Sequence, residues 1–302
     1  MIDPVFCGSP QFLSEPLSAA LGVELVVKVE TFNPIRSFKG RGADYFMRCH
    51  VDTGGGPIVC ASAGNFGQGM AYAARRLGVA LTVFAARTAN PLKLERMRML
   101  GAEMRLEGAD FDDAKAAARV FAGQHQVRFV EDSRDLEPTV GAGTIGLELT
   151  RDAPSLDAIL IPLGNGALLA GVGCWIKHIR PATRVIGVCA KGAPAMEESW
   201  RMGRTVTHEH VATIADGIGV RIPVAQALQD IRPVTDDIVL VEEHQIIDAM
   251  RLIHEHLGAV VEPSGAVGVA AILAHDRLRH GRVATILCGG NLTPQQMSDW
   301  LG

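Results

Sequence analysis

The chain has 302 residues, of which 48% are hydrophobic and 21% charged, a balance that excludes a disordered chain and suits one large or two medium globular cores. A net charge of -4 supplies no basic field, so nucleic acid and anionic membrane surfaces are set aside as partners. The six cysteines (Cys7, Cys49, Cys60, Cys174, Cys189 and Cys288) form no CxxC pair and read as reduced, mostly buried thiols of a cytoplasmic protein. Met1-Ile2-Asp3-Pro4 carries no basic or long apolar run, and no signal peptide is expected.

Short β-branched runs alternate with helical patterns along the chain. Strands are expected over 24–30, 57–61, 81–85, 103–107, 127–131, 158–162, 185–189, 237–241 and 284–288. Helices are expected over 67–77, 92–100, 112–125, 167–179, 243–257 and 265–274. Such alternation argues for parallel α/β architecture, and near-continuously apolar strands imply helices on both sheet faces. Residues 158–176 carry no charge and approach a membrane-spanning length, but Pro162, Asn165 and four glycines interrupt them. A buried strand, a glycine loop and a buried helix fit better. The expected fold class is α/β, with two lobes, each a mostly parallel twisted sheet flanked by helices, and the smaller lobe inserted in the larger. The segment 50–57, with Thr53-Gly54-Gly55-Gly56, reads as a hinge, and a second crossover near 133–138 returns the chain. The domains are then 1–50 with 135–302, and 51–134.

Ser37-Phe38-Lys39-Gly40-Arg41-Gly42-Ala43 is the most informative stretch. It sets a lysine in what reads as the first turn of a helix, beside an aromatic and two arginines. An amine attacks a carbonyl only after losing a proton. Flanking cations, burial and a helix dipole all favour the neutral form. Such a lysine can hold an aldehyde cofactor, the alternative being a solvated charge at a basic helix start.

Three strands run into glycine-rich turns before helices, each a potential anion site. Gly164, Asn165, Gly166, Ala167 and Leu168 follow the strand 158–162 and could close around a phosphate. A dinucleotide fingerprint is the rival reading, but the third glycine is displaced and the next strand ends Gly187-Val188-Cys189-Ala190-Lys191 without an acidic residue. Ser62, Ala63, Gly64, Asn65 and Phe66 could hold a carboxylate and a ring hydroxyl, or Ser62 could simply cap a helix. Cys288-Gly289-Gly290-Asn291 lets a ligand approach the backbone beside a weakly hydrogen-bonding thiol. His208-Glu209-His210 and His254-Glu255-His256 are poor metal sites, the second because i and i+2 diverge on a helix, and no metal is expected. No Gly-x-Ser-x-Gly elbow or Walker loop exists.

Taken in order, these segments resemble the tryptophan-synthase-β-like (fold type II) family of pyridoxal-phosphate enzymes, most closely its threonine and serine dehydratases. The resemblance runs from Lys28-Val29-Glu30 and the Lys39 segment through Ala61-Ser62-Ala63-Gly64-Asn65 and Asn90-Pro91-x-Lys93. It continues with Gly143-Thr144-Ile145, the 164–168 loop, Thr213-Ile214-Ala215-Asp216-Gly217, Glu262-Pro263-Ser264-Gly265-Ala266 and Cys288-Gly289-Gly290-Asn291. It implies that Lys39 carries pyridoxal 5'-phosphate as a Schiff base and shuttles the α-proton. Phe38 would pack on the pyridine ring, Asn65 would bond its 3-hydroxyl, and Cys288 would face its nitrogen. Gly164, Asn165, Gly166, Ala167 and Leu168 would hold the phosphate, and residues 62–66 the substrate carboxylate. The larger domain would bind the cofactor and the smaller close over the substrate.

The departures are informative. Racemases of the family place a serine where this chain has Ala63, so racemisation should be weak. Phe66 stands where dehydratases often have histidine. Glu131-Asp132-Ser133-Arg134-Asp135 replaces a His-Pro-Phe-Asp-like stretch, and Cys189 stands where an acidic cation ligand is common. A neutral thiol at the ring nitrogen favours prompt loss of a β-substituent over a long-lived carbanion. The implied activity is elimination from a small hydroxy amino acid, L-threonine or L-serine, to a 2-oxo acid and ammonia by a cytoplasmic homodimer. A β- or γ-replacement enzyme resembling cysteine synthase or threonine synthase, and a non-catalytic relative, are the alternatives. Feedback through a module beyond Gly302 is not expected.

Overall fold

The structure is a computed structural model that describes residues 1–89, 91–152 and 155–302; Asn90 of the Asn90-Pro91 motif lies outside them. In chain order the first elements are β1 (Gln11–Leu13), α1 (Glu15–Leu21), β2 (Glu24–Val29), α2 (Lys39–Asp52), β3 (Ile58–Ala61), α3 (Asn65–Leu77), β4 (Leu81–Ala85) and α4 (Pro91–Met99). Next come β5 (Glu103–Leu106), α5 (Phe111–His125), β6 (Arg128–Val130), α6 (Leu136–Asp152), β7 (Ala158–Pro162), α7 (Ala167–Ile179), β8 (Arg184–Ala190) and α8 (Ala195–Met202). The chain ends with α9 (Ala225–Ile231), β9 (Asp237–Val241), α10 (Glu243–Leu257), α11 (Pro263–Ala274), β10 (Arg282–Leu287) and α12 (Pro294–Leu301).

Local chemistry sets many of these ends. Ser14 accepts the Leu17 amide at 3.4 Å to start α1, and Gly22 (φ 69°) ends it in the left-handed region. Asp110 caps α5 through the Asp113 amide at 2.9 Å. Thr293 and Gln296 cap α12 reciprocally, with Pro294 in its first turn.

By internal packing the chain divides into two compact units, Met1–Cys7 with Ser37–Gly141 and Gly8–Arg36 with Ala142–Gly302. This division places 1–7, 37–50 and 135–141 with the smaller unit, where the sequence expectation put them with the larger. The physical reason is close helix packing. A Cβ on Gly69 of α3 would lie 3.1 Å from both the Ala43 Cβ and the Lys39 carbonyl oxygen of α2.

The smaller unit holds a wholly parallel sheet ordered β5-β4-β3-β6. Phe46, Met47, Ile58, Met70, Val83 and Met97 fill one core, and Val59, Phe84, Ala118 and Ala122 fill a second. The larger unit holds a six-stranded sheet ordered β1-β2-β10-β7-β8-β9, parallel except for the β1–β2 pair. Its core joins strand residues such as Leu25, Leu160, Ile186 and Val283 to Ile246, Met250 and Val267 of the helices. Each such side chain contributes about 1.5–3 kcal/mol by leaving water. The α/β reading with two mostly parallel sheets therefore holds.

Four differences stand out. Strand β1, only three residues long, was not anticipated. Nor was α6, because Pro138 and three glycines obscure its helical pattern. Those glycines serve close approach, since a Cβ on Gly143 would lie 3.0 Å from the Gly171 carbonyl and one on Gly146 would lie 3.1 Å from that of Val172. The cysteines are all unpaired, yet Cys7 and Cys174 are exposed and Cys49 is half-buried, so only three of the six are buried. Lys28 is sealed within the sheet, donating to the Ser9 carbonyl at 2.8 Å and to Glu148 at 2.5 Å. No helix among the described residues is long and apolar enough to cross a membrane.

Candidate active site

In the smaller unit, Lys39 opens α2, following the Ser37-Phe38 turn. Its Nζ lies 4.8 Å from the Phe38 ring centroid and 6.0 Å from that of Phe66, and it donates to Asp132 Oδ2. Lys39 and Asp132 are about equally sheltered, at 19% and 22% side-chain exposure, so the amine is neither solvated like a surface charge nor sealed. Asp132 Oδ1 is buried with no hydrogen-bond partner among the described residues.

The 62–66 segment links β3 to α3. Ser62 Oγ accepts the amides of Gly64 at 3.2 Å and Gly67 at 2.9 Å. Ser62 thus serves the first turn of α3 from two residues before its N-cap Gly64, and its hydroxyl is one further donor beside that helix start. Such a donor at a helix start suits a carboxylate. Gly67 admits no side chain, since its Cβ would lie 2.5 Å from Met97 Sδ and 3.0 Å from the Ser62 Cβ. Cys60 precedes this loop, and burial, followed by the Asp132 carboxylate, pushes its thiol up to about 12.

The loop after β6 is tightly held. Burial disfavours the Glu131 carboxylate, but Arg119 at 2.6 Å and Lys115 at 3.4 Å outweigh it and hold the group below the usual range. Asp135 accepts the Glu131 amide at 2.7 Å, and Ser133 takes a left-handed φ of 66°.

In the larger unit, 163–166 joins β7 to α7, and Gly166 has φ 100°, which side chains rarely adopt. A Cβ on Gly164 would meet the Gly217 carbonyl at 3.0 Å. Helix α7 starts with no side-chain cap, and Asn165 Oδ1 is buried without a hydrogen-bond partner among the described residues. A helix start shaped by glycines and closed by no side chain fits a phosphate. At the end of β10, the Cys288 thiol donates to the Ser264 carbonyl at 3.6 Å, while Ser264 Oγ is buried without a partner among the described residues. A Cβ on Gly217 would lie 2.8 Å from that hydroxyl, and one on Gly265 would lie 2.9 Å from the Gly289 carbonyl. Such neutral, tightly fitted groups fit a pyridine nitrogen.

Sequence reasoning did not single out Asp132 or Ser264 as candidates, although both lie in motifs it quoted. Two adjacent acids at a strand end were the signal for the first, and a serine opening an apolar helix was the signal for the second. Cys189 is buried and donates to the Leu163 carbonyl at 3.4 Å, its thiol pushed up by burial and by Glu197. His208 is hydrogen-bonded to Glu198 at 2.8 Å. Among the described residues no group of three or more His, Cys, Asp or Glu side chains is placed to hold a metal.

The profile of the family described as "Pyridoxal-phosphate dependent enzyme" matches residues 2–289. An L-threonine ammonia-lyase of Thermotoga maritima is 37% identical over 281 residues, covering 92% of this chain and 70% of that protein. The processed form of threonine deaminase isoform 2 from Solanum lycopersicum superposes with a TM-score of 0.89 and 32% identity, over 96% of this chain and 81% of that one. Maize serine racemase superposes with a TM-score of 0.90 and 27% identity, over 96% of this chain and 90% of that one. The ordered motifs, the two parallel sheets and these similarities together place the chain in the family of pyridoxal-phosphate dependent enzymes.

Proposed function

We propose that the protein removes the β-hydroxyl and the amino group of a small hydroxy amino acid, L-threonine or L-serine, releasing a 2-oxo acid and ammonia. The observation that carries this reading is the partly sheltered Lys39 amine near the Phe38 and Phe66 rings, in a chain 37% identical to an L-threonine ammonia-lyase. When bound, pyridoxal phosphate supplies a carbonyl that condenses with amines and a ring that withdraws electrons from the α-carbon.

The remaining chemistry belongs to the chain. Lys39 Nζ would hold the cofactor and accept the α-proton. The Ser62 hydroxyl and nearby amides of 63–66 would bind the substrate carboxylate, with Asn65 toward the ring hydroxyl. Phe38 would lie against the ring. Gly164, Asn165, Gly166, Ala167 and Leu168 would receive the phosphate at the start of α7, and Cys288 would face the ring nitrogen. Ala63 offers no acid or base at its position, which supports elimination over racemisation. The Ser264 hydroxyl is a further candidate for the ring nitrogen.

Unpaired cysteines support a reducing, cytoplasmic setting, and a homodimer follows from the resemblance. Light scattering on the eluting protein tests the dimer. The activity is tested by incubating the loaded protein with L-threonine and L-serine and measuring 2-oxo acid and ammonia. Release of both is expected. Consumption of substrate only with an added nucleophile would point to replacement chemistry. Absence of the cofactor's visible absorption band after loading would end the reading altogether.

A further inference from the structure

We propose that Asn291 is a positioning residue for Lys39, acting through the turn that ends at Arg36. This rests on the reading of Lys39 as the base that takes the α-proton.

Three observations converge. First, Asn33, Pro34, Ile35 and Arg36 form a tight turn. In it the Arg36 amide donates to the Asn33 carbonyl at 2.9 Å, and the Ile35 amide donates to Asn33 Oδ1 at 3.1 Å. Pro34 pre-sets the backbone for such a turn. Second, Arg36 leaves the turn with a φ of 53°, which L residues seldom adopt. Gln126 takes a similar φ to end α5, but Arg36 ends no helix. A strained residue persists only where its surroundings over-determine it. Third, the buried segment 289–291 supplies that restraint. Asn291 Nδ2 donates to the Ile35 carbonyl at 2.8 Å, and the Gly290 amide donates to the Arg36 carbonyl at 3.0 Å. The restraining segment is itself fixed. Glu262 Oε2 accepts the Asn291 amide at 3.2 Å, and the Glu262 amide donates to the Gly289 carbonyl at 2.9 Å. A Cβ on Gly290 would lie 2.7 Å from the Val260 carbonyl.

The consequence concerns the reach of the amine. Lys39 follows Arg36 by three residues and opens α2. A change of φ at Arg36 swings every atom beyond it, so relaxation to the common negative φ would carry the Lys39 amine away. Asn291 opposes that relaxation by holding the carbonyl just before the strained residue. The same segment continues from Cys288, the residue proposed for the ring nitrogen. One frame would thus restrain both the root of the lysine and the group at the ring. A misplacement of about 1 Å is enough to slow a chemical step about a hundredfold. The rival role is an interior hydrogen bond that stabilises the fold and leaves the chemical step alone.

The test uses the loaded enzyme in single turnover with L-serine. Slowing by 2-deuterated L-serine certifies that the rate read is that of α-proton removal. Asn291→Ala should lower this rate at least about tenfold, with KM changed by less than about threefold. Adding Arg36→Gly should restore much of the rate, because glycine holds a φ of 53° without steric cost. A hydrogen bond that served stability alone would give no such rescue. If Asn291→Ala does not fold, Asn33→Ala carries the test, since it removes only the side-chain bonds within the turn. It should slow the same step at least about threefold, again with rescue by Arg36→Gly. The proposal is overturned if the folded variant keeps the wild-type rate, or if Arg36→Gly restores nothing. An intact visible band in each variant certifies loading. A wild type with no band sinks the cofactor reading and this role with it, whereas a normal band with an unmoved rate sinks only the positioning.

Discussion

Lys28 and Glu148 form an ion pair at 2.5 Å with side chains only 1% and 7% exposed. Glu148 Oε1 also accepts the Gly8 amide at 2.9 Å, and its carbonyl accepts from Gln11 Nε2 at 3.1 Å. The pair thus ties the segment before β1 to β2 and α6. Removing one partner strands a buried charge, so Lys28→Met or Glu148→Leu alone should cost about 3–5 kcal/mol. The double variant should recover much of that loss. Urea unfolding of the four proteins in a double-mutant cycle measures it, and additive losses would show that the charges do not depend on each other.

Gly69 is where α3 passes over the first turn of α2. Its Cβ would press on the Ala43 Cβ and the Lys39 carbonyl at 3.1 Å, and the second of these is backbone that cannot swing aside. Gly69→Ala should cost about 1–3 kcal/mol and displace Lys39. We expect kcat to fall more than KM rises, as measured by steady-state release of 2-oxo acid.

Glu131 makes the smaller unit acid-sensitive. Its carboxyl is held below the usual range in the folded chain, so its stabilising contribution is complete above the unfolded value of about 4.3 and disappears as pH falls through the folded one. Glu131→Gln should cost about 1–3 kcal/mol near neutrality and flatten the loss of stability on acidification. Denaturation midpoints from pH 7 to pH 3 would show this, and parallel curves for the two proteins would refute it.

Thiol reactivity should follow burial. Cys7 and Cys174 are exposed and should label first with a disulfide reagent, whereas Cys60, its thiol pushed up to about 12, should stay inert until unfolding. Mass spectrometry of partially labelled protein reads the order directly.

Gly166→Ala tests the proposed phosphate turn. The φ of 100° makes any side chain strained there, and its Cβ would lie 3.1 Å from the Ile231 side chain. Cofactor affinity should drop about tenfold or more, which fluorescence titration would detect, while Lys39 chemistry in the loaded fraction persists.

What could be read in advance follows a physical pattern. Nine strands and the principal crossover helices were legible because their apolar runs and turn residues act locally. Helix α6 was hidden because its glycines answer to partners distant in sequence, among them Gly171 and Val172. The Lys39 segment and the glycine loops were legible for the same local reason. Asp132 was noted only as a departure, because the value of its carboxylate comes from a lysine 93 residues away. Ser264 was passed over because a serine opening an apolar helix reads equally as a simple helix start, and only the fold leaves its hydroxyl buried without a partner among the described residues.

The strand order of the larger unit governs how the protein can be made. β10 lies between β2 and β7, with Ala284 paired to both Val26 and Ile159. The two flanking strands are therefore synthesised long before the strand that joins them, and until then each keeps an unsatisfied hydrogen-bonding edge. Such late, long-range closure slows folding and leaves nascent edges open to pairing with other chains. The smaller unit faces no such delay, because β5, β4, β3 and β6 are all complete by Val130. Biogenesis should thus proceed in two stages, with an early module that needs little help and a late one that depends on chaperone protection until its central strand arrives.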